Sequence, residues 1–377
     1  MIRSTICAAW VIGLAIGAPV VGSEYSLLPD STVLGRNFGA PSGWGPAITA
    51  APGQLQAVAE TVVFFKNLEL TGFPEDKNVD GQTFIGFLAP LRMRYRAHEQ
   101  VTLELGAVIG HNFGDDDSLD VAEPLLRIIY EPTPAMYLIG GTIYPTHWIH
   151  DALLDDVQKL REPAEQGVQW RIDKADLKQD LWLNWRIRET DDRSEHFEVG
   201  NATQVRFFDQ RLHVDAQLLW SHTGGQRNAE DTVRNNMALS AGGSWGFTWP
   251  QAASPLRELR LGAHWLWATD DTDAFANDTG SGVELAAWAD LDLGQRHLLR
   301  VSGSYYLGDE LPTERGDPLY HLGDYAQLGA TVVFRLPADL RIEVGAVGQF
   351  AEGEFNHTYF VNLAWGGAFD LARPNRP

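Results

Sequence analysis

From about Leu55 onward the chain is a procession of sixteen segments that alternate apolar and polar side chains, the first at 55–66 and the last at 356–369, with turn residues between them. Each is about 10 residues long, the length of a strand that crosses a bilayer at a tilt. Strict alternation puts successive side chains on opposite faces of a strand. In "DLRIEVGAVGQF", Ile342, Val344, Ala346, Gly348 and Phe350 oppose Arg341, Glu343, Gly345, Val347 and Gln349. In "RLHVDAQLLWS", Leu212, Val214, Ala216, Leu218 and Trp220 oppose His213, Asp215, Gln217, Leu219 and Ser221. The fold class is therefore all-β.

The stretch "TFIGFLAPLRMRYR" has one wholly apolar parity, Ile85 to Tyr95, and one that ends in Arg92, Arg94 and Arg96. In a secreted soluble sandwich the apolar face would be core and the arginines surface. In a membrane barrel the apolar face would meet lipid and the arginines an interior. The connections separate the two. Long, acidic, Gly- and Asp-rich connections follow odd strands, and short turns such as "AHEQ", "EPTPA", "DKAD", "FDQR", "LGQR" and "LPAD" follow even ones, with "TWPQAASPLRE" a longer exception. A barrel with short periplasmic turns and long extracellular loops sorts its connections in this way, whereas a sandwich has no reason to. Aromatic residues fall near segment ends, as interfacial girdles require.

The first residues, "MIRSTICAAWVIGLAIGAPVVGSEYS", carry one early arginine, an apolar run from Ile6 to about Ile16, and small residues up to Ser23. This is the layout of a signal peptide, and cleavage is expected near Ser23. Cys7 is the only cysteine, so the exported chain would hold no disulfide. The expected organisation is a signal peptide at 1–23, a Gly-, Pro- and Ser-rich periplasmic leader at 24–53, a barrel at 54–370 and a tail at 371–377. The formal net charge of -21 disfavours nucleic acid as a partner.

These features together resemble a bacterial outer-membrane β-barrel of porin type, in architecture rather than through one diagnostic motif. The final strand "HTYFVNLAWGGAF" is similar to the closing strand of such barrels, although "DLARPNRP" follows it. The resemblance implies an antiparallel up-and-down barrel of about 16 strands in the outer membrane of a Gram-negative bacterium. It also implies that the loop after the fifth strand, "PTHWIHDALLDDVQKLREPAEQG", folds inward and narrows the lumen. Basic residues expected to line the pore are Arg92, Arg94, Arg127, Arg186, Arg188 and Arg206, and acidic ones are Glu104, Glu123, Asp180 and Glu198. The constriction loop would contribute Asp151, Asp155, Asp156, Glu162 and Glu165, facing arginines across the bore.

The expected function is a channel for ions or small hydrophilic solutes. Its expected partners are outer-membrane lipid, such solutes and acidic saccharides, with a homotrimer as the candidate assembly. An exporter barrel for an acidic polysaccharide and a secreted soluble all-β binding protein are the alternatives. No enzymatic role is expected, because no Ser, His and acid set can be assembled from the strand faces. "GGSWG" (Gly242–Gly246) matches a nucleophile pattern but lies in an alternating strand without the required following helix. "HWIHD" and "DDDSLD" have ligand-like spacing but no complete set of metal ligands. No cofactor and no metal are expected.

Overall fold

The computed structural model describes residues 48, 50–73, 79–114, 119–225, 233–249, 254–272, 275, 278–294 and 297–372. The expected signal peptide, most of the leader, Asp115 to Ser118 and the last five residues lie outside them. The strands are β1 (Leu55–Glu69), β2 (Gln82–His98), β3 (Val101–Asn112), β4 (Val121–Thr133), β5 (Met136–Thr142), β6 (Gln166–Asp173), β7 (Leu177–Ile187) and β8 (Glu195–Phe207). They continue as β9 (Leu212–Gly224), β10 (Arg234–Thr248), β11 (Leu256–Asp270), β12 (Thr279–Asp292), β13 (Leu298–Gly308), β14 (Tyr325–Arg335), β15 (Arg341–Ala351) and β16 (Glu354–Ala372). Each pairs antiparallel with its sequence neighbours, and β1 closes on β16 from Leu55↔Ala372 to Glu69↔His357.

Closure follows from solvation. A strand facing hydrocarbon has no water for its backbone groups, so every edge must be paired. The outward parity is apolar and open, with Leu91, Met93, Tyr95, Leu105, Leu126, Ile128 and Leu328 among the exposed large side chains. A secreted soluble sandwich, one of the alternatives above, would have buried that face. No helix among the described residues is long and apolar enough to cross a membrane. This is a porin-type barrel of the outer membrane.

The rule of connection lengths has a second exception beside the long connection after β10. β15 and β16 are joined through Glu352 and Gly353 alone, both at positive φ (51° and 84°), as a two-residue hairpin requires. At the other odd strands the connection is longer, and among the described residues the β5–β6 and β13–β14 loops turn inward, met by Leu70 and Val79 of the β1–β2 connection. The β5–β6 loop buries Ile143, Tyr144, Trp148, Ile149, Leu153 and Val157, and the β13–β14 loop buries Leu311, Leu319, Tyr320 and Leu322. Both pack with Leu219, Ala238, Leu266, Ala268 and Tyr306 of the wall in one apolar cluster. Backbone bonds from Asp155 N to Arg315 O (2.8 Å) and from Asp317 N to Asp151 O (2.8 Å) join the two loops into one body.

A glycine makes room for one anchor of that body. Trp182 of β7 lies across Gly200 of β8, its register partner, and stacks on His147 of the β5–β6 loop at 3.7 Å and 14°. A Cβ at Gly200 would overlap the Trp182 ring, whereas one at Gly140 would meet nothing within 4 Å. Gly200→Ala should therefore destabilise the barrel by about 1–3 kcal/mol through overpacking, while Gly140→Ala should have little effect. Thermal unfolding in detergent, followed by the heat-dependent gel shift of the folded barrel, measures the difference.

Candidate functional site at the barrel mouth

Most of the inward arginines are occupied by the protein itself. Arg92 pairs with Glu60 (2.7 Å) and Glu104 (3.3 Å), and Arg94 with Glu104 (2.7 Å). Arg127 reaches Glu104 (2.8 Å), donates to the Thr142 carbonyl (2.6 Å) and lies over the Tyr144 ring at 3.7 Å. Arg171 donates to the Thr146 carbonyl (3.0 Å) and lies 3.5 Å from Asp180. These arginines, with Glu104 and Asp180, are buried. The expectation that they face water in a pore is corrected here: they hold one another and the backbone of the inserted loop. The reason is desolvation, since an unpaired buried charge costs several kcal/mol.

The other expected residues are dispersed. Arg206 is buried and donates to Gln204 (2.9 Å). Arg188 lies beyond the end of β7 and is exposed, and Glu123 is exposed near the long-loop end of β4. Neither lines a closed part of the lumen. In the loop, Asp151 and Asp155 are buried, Asp156 pairs with Lys66, and Glu165 pairs with His147 (2.9 Å). Only Glu162 meets an arginine pair, donated to by Arg186 (3.0 Å) and Arg315 (2.9 Å). Those two arginines hold its carboxyl below the usual range against the opposing effect of burial. Ser244 of "GGSWG" sits in mid-strand and accepts from Arg260 (3.2 Å).

One constellation at the long-loop end differs in chemical character. Ser221 Oγ of β9 lies 3.0 Å from His196 Nε2 of β8 and 2.8 Å from Glu314 Oε2 of the β13–β14 loop. Arg186 Nη1 approaches the same His196 nitrogen at 3.2 Å. A guanidinium can only donate, so His196 Nε2 is the unprotonated ring nitrogen, and Ser221 donates its single proton to Glu314 while its oxygen stands beside that nitrogen. Arg315 Nε closes the group on Glu198 (2.8 Å), which also lies 3.4 Å from Arg186. Ser221 is buried, His196 is half-buried and Glu314 is exposed, so the group opens towards the mouth.

Each member is placed by a local device. The short turn between β8 and β9 sets the register that puts Glu198 opposite Ser221. A register shift between Trp185 and Ile187 frees Arg186 from the ladder and turns it to the mouth. Asn236 of β10, the register partner of Ser221, donates to the Pro312 carbonyl (2.7 Å) and accepts from Glu314 N (3.1 Å), holding the loop over the serine. Sequence reasoning placed Ser221 on the polar face but missed the set. His196 and Glu314 lie in polar stretches without periodicity, and only loop insertion brings Glu314 across. The β8–β9 pairing through "FDQR" was the available signal, since it sets Ser221 beside Glu198, two residues from His196.

The anchoring of the β5–β6 loop is sensitive to pH. His147 lies between Asp180 (2.7 Å) and Glu165 (2.9 Å). Burial alone would lower its pKa, but Glu165 and Asp180 outweigh burial and hold it up at about 9. A histidine raised above its ordinary 6.5 contributes stability that is complete below that value and is lost as pH rises through about 9. Moving from about pH 7 to about pH 10 should lower the exchange protection of residues 147–157 relative to the intrinsic, base-catalysed rate, and His147→Gln should lack that step.

Comparison with known proteins adds a family and a fold. A family profile described as Lipid A 3'-O-deacylase-type matches residues 48–331, from just before β1 into β14. That match overturns the expectation that the chain is not an enzyme. No curated protein matches it. Among solved structures, a loop L8 deletion mutant of OmpT, an outer-membrane protein of Vibrio cholerae, is similar with a TM-score of 0.51 at 10% identity, over 84% of this chain and 100% of that one. Outer-membrane expressed OmpT of Vibrio cholerae gives 0.51 at 9% identity, over 85% and 99%. At such identities the likeness is one of fold.

Proposed function

The chain belongs to the lipid A 3'-O-deacylase-type family, and from that premise we propose that it is an outer-membrane hydrolase that cleaves an acyl ester of a saccharide-headed lipid, with Ser221 as nucleophile. The observation that carries the assignment is the hydrogen-bonded contact of Ser221 Oγ with His196 Nε2 at a mouth open to the long-loop side. A serine hydroxyl is a weak nucleophile until a base takes its proton. Here the base lies 3.0 Å from the serine oxygen, and the hydroxyl proton turns from Glu314 to His196 Nε2 once substrate displaces the Glu314 contact.

The steps follow from those two groups. Ser221 Oγ adds to the ester carbonyl as its proton passes to His196 Nε2. The sugar oxygen then leaves with that proton, and the acyl group stays on Ser221. A water molecule, deprotonated by His196, releases the fatty acid and restores the serine. Glu314 contacts the serine rather than the histidine, which departs from the usual order of a serine, histidine and acid set. Its role in this reading is to hold the hydroxyl in the mouth until substrate displaces it.

The expected channel is set aside on geometry. The barrel is of porin type, but the two inserted loops place an apolar cluster inside it, and Arg92, Arg94 and Arg127 are committed to Glu60, Glu104 and the Ile143 carbonyl. Hydrolysis uses the residues that remain at the open end.

Ser221→Ala should lower fatty-acid release from lipid A in mixed micelles by about a thousandfold or more, with the heat-dependent gel shift of the barrel retained. His196→Ala should fall by a similar factor. Undiminished release by Ser221→Ala would remove the serine from the mechanism.

A further inference from the structure

The wall that carries the catalytic set has a second face. Inward-pointing His196, Glu198 and Ser221 alternate with outward-pointing Phe197 and Trp220, and Trp185 precedes Arg186 in the same way. The outward rings form one connected surface. Phe197 stands 5.4 Å from Trp185, 5.5 Å from Trp220 and 4.9 Å from His222, and Trp220 stands 5.6 Å from His222.

This surface differs from a girdle of separate interfacial aromatics in having an organised polar margin. Asn235 Oδ1 of β10 accepts from Trp220 Nε1 (3.1 Å) and lies 2.9 Å from His222 Nδ1. Its amide nitrogen donates to the exposed carboxylate of Asp271 (3.1 Å). The indole and the imidazole are thereby fixed in orientation, and a carboxylate stands at the edge of the rings.

We propose that Trp185, Phe197, Trp220 and His222 form a docking platform for the sugar ring of the lipid substrate, held from the outer leaflet on the outside of the wall whose inside carries Ser221. The inference rests on the deacylase reading above and deepens it. A pyranose presents C–H faces that pack on flat rings and hydroxyls at its edge that donate to a carboxylate. Tryptophan rings at the headgroup level are suited to such an amphipathic contact. Asp271 favours a hydroxylated edge over a phosphate, because a second anion there would be repelled. Continuity with the site selects this occupant: Trp220 is the neighbour of Ser221 in the chain, Phe197 of His196 and Trp185 of Arg186. A lipid seated on the platform has only the top of β8 and β9 between its ester and the mouth, where β9 ends three residues beyond Ser221 at Gly224. That is roughly 10 Å of strand.

The test uses the full-length barrel in detergent with lipid A in mixed micelles, and p-nitrophenyl butyrate as a soluble ester. Trp185→Leu and Trp220→Leu keep an apolar wall, and Phe197→Leu is a third, milder variant in case either fails the gel-shift test of folding. The platform predicts that KM for lipid A rises about tenfold more than KM for the soluble ester. Equal losses on both esters, or no loss on either, overturn it. Native mass spectrometry of the same proteins with lipid A gives a reading independent of turnover. If the wild type cleaves neither ester, the deacylase reading fails, yet a bound lipid A retained by the wild type and lost in the leucine variants still supports the platform. Leucine variants that retain lipid A as the wild type does overturn the platform, whatever the catalytic result.

Discussion

The structure depends on the pairing of buried charge inside the barrel. Glu104 draws Arg92, Arg94 and Arg127 together, and Arg127 and Arg171 also donate to the Ile143 and Thr146 carbonyls of the β5–β6 loop. A barrel of sixteen strands is wide enough to leave a water-filled lumen, and its charged inner parity would be soluble in that water. Here the same parity is used to fasten a loop. Once the loop is held at Thr142 to His147, its apolar residues reach the middle of the barrel and meet Leu219, Leu266 and Tyr306. The second loop then packs on the first.

From that plug the site at the mouth follows. Glu314 and Arg315 are brought to the wall because the β13–β14 loop is tied to the β5–β6 loop through Asp151 and Asp155, and to β10 through Asn236. The wall supplies the serine and histidine from two adjacent strands, and the plug supplies the acid. Four charges, Glu162, Arg186, Glu198 and Arg315, close the group and link the loops to β7 and β8. Because the strand period is two, the outward rings of the same strands necessarily lie behind the proposed catalytic set. One wall can then serve both the reaction and the approach of an amphiphilic substrate.

Much of the fold was legible in the sequence. Alternation located the strands, and the sorting of connections by length gave an up-and-down barrel, with the long β10–β11 connection and the two-residue β15–β16 hairpin as departures. The inward parity of Arg92 and Arg94 was legible too, but not their partners, since Glu60 and Glu104 lie on other strands and periodicity carries no information on cross-strand pairing. Arg188 failed because β7 ends one residue before it, and Glu123 because its end of β4 stands open. The catalytic candidates were the least legible. Ser221 alone fell on a recognised face, while His196 and Glu314 come together with it only through a hairpin register and an inserted loop. The expectation of a non-enzyme rested on that missing convergence, and the family match together with the β8–β9 geometry reverses it.

The central claim is that Ser221 is an activated nucleophile in the mouth of this barrel. The most direct measurement is covalent labelling of the folded, detergent-solubilised protein with a fluorophosphonate, followed by mass spectrometry of its peptides. The account predicts a single adduct on Ser221 that disappears when His196 is replaced by alanine. Labelling of another serine, or none at all on a folded barrel that releases fatty acid from lipid A, would contradict it.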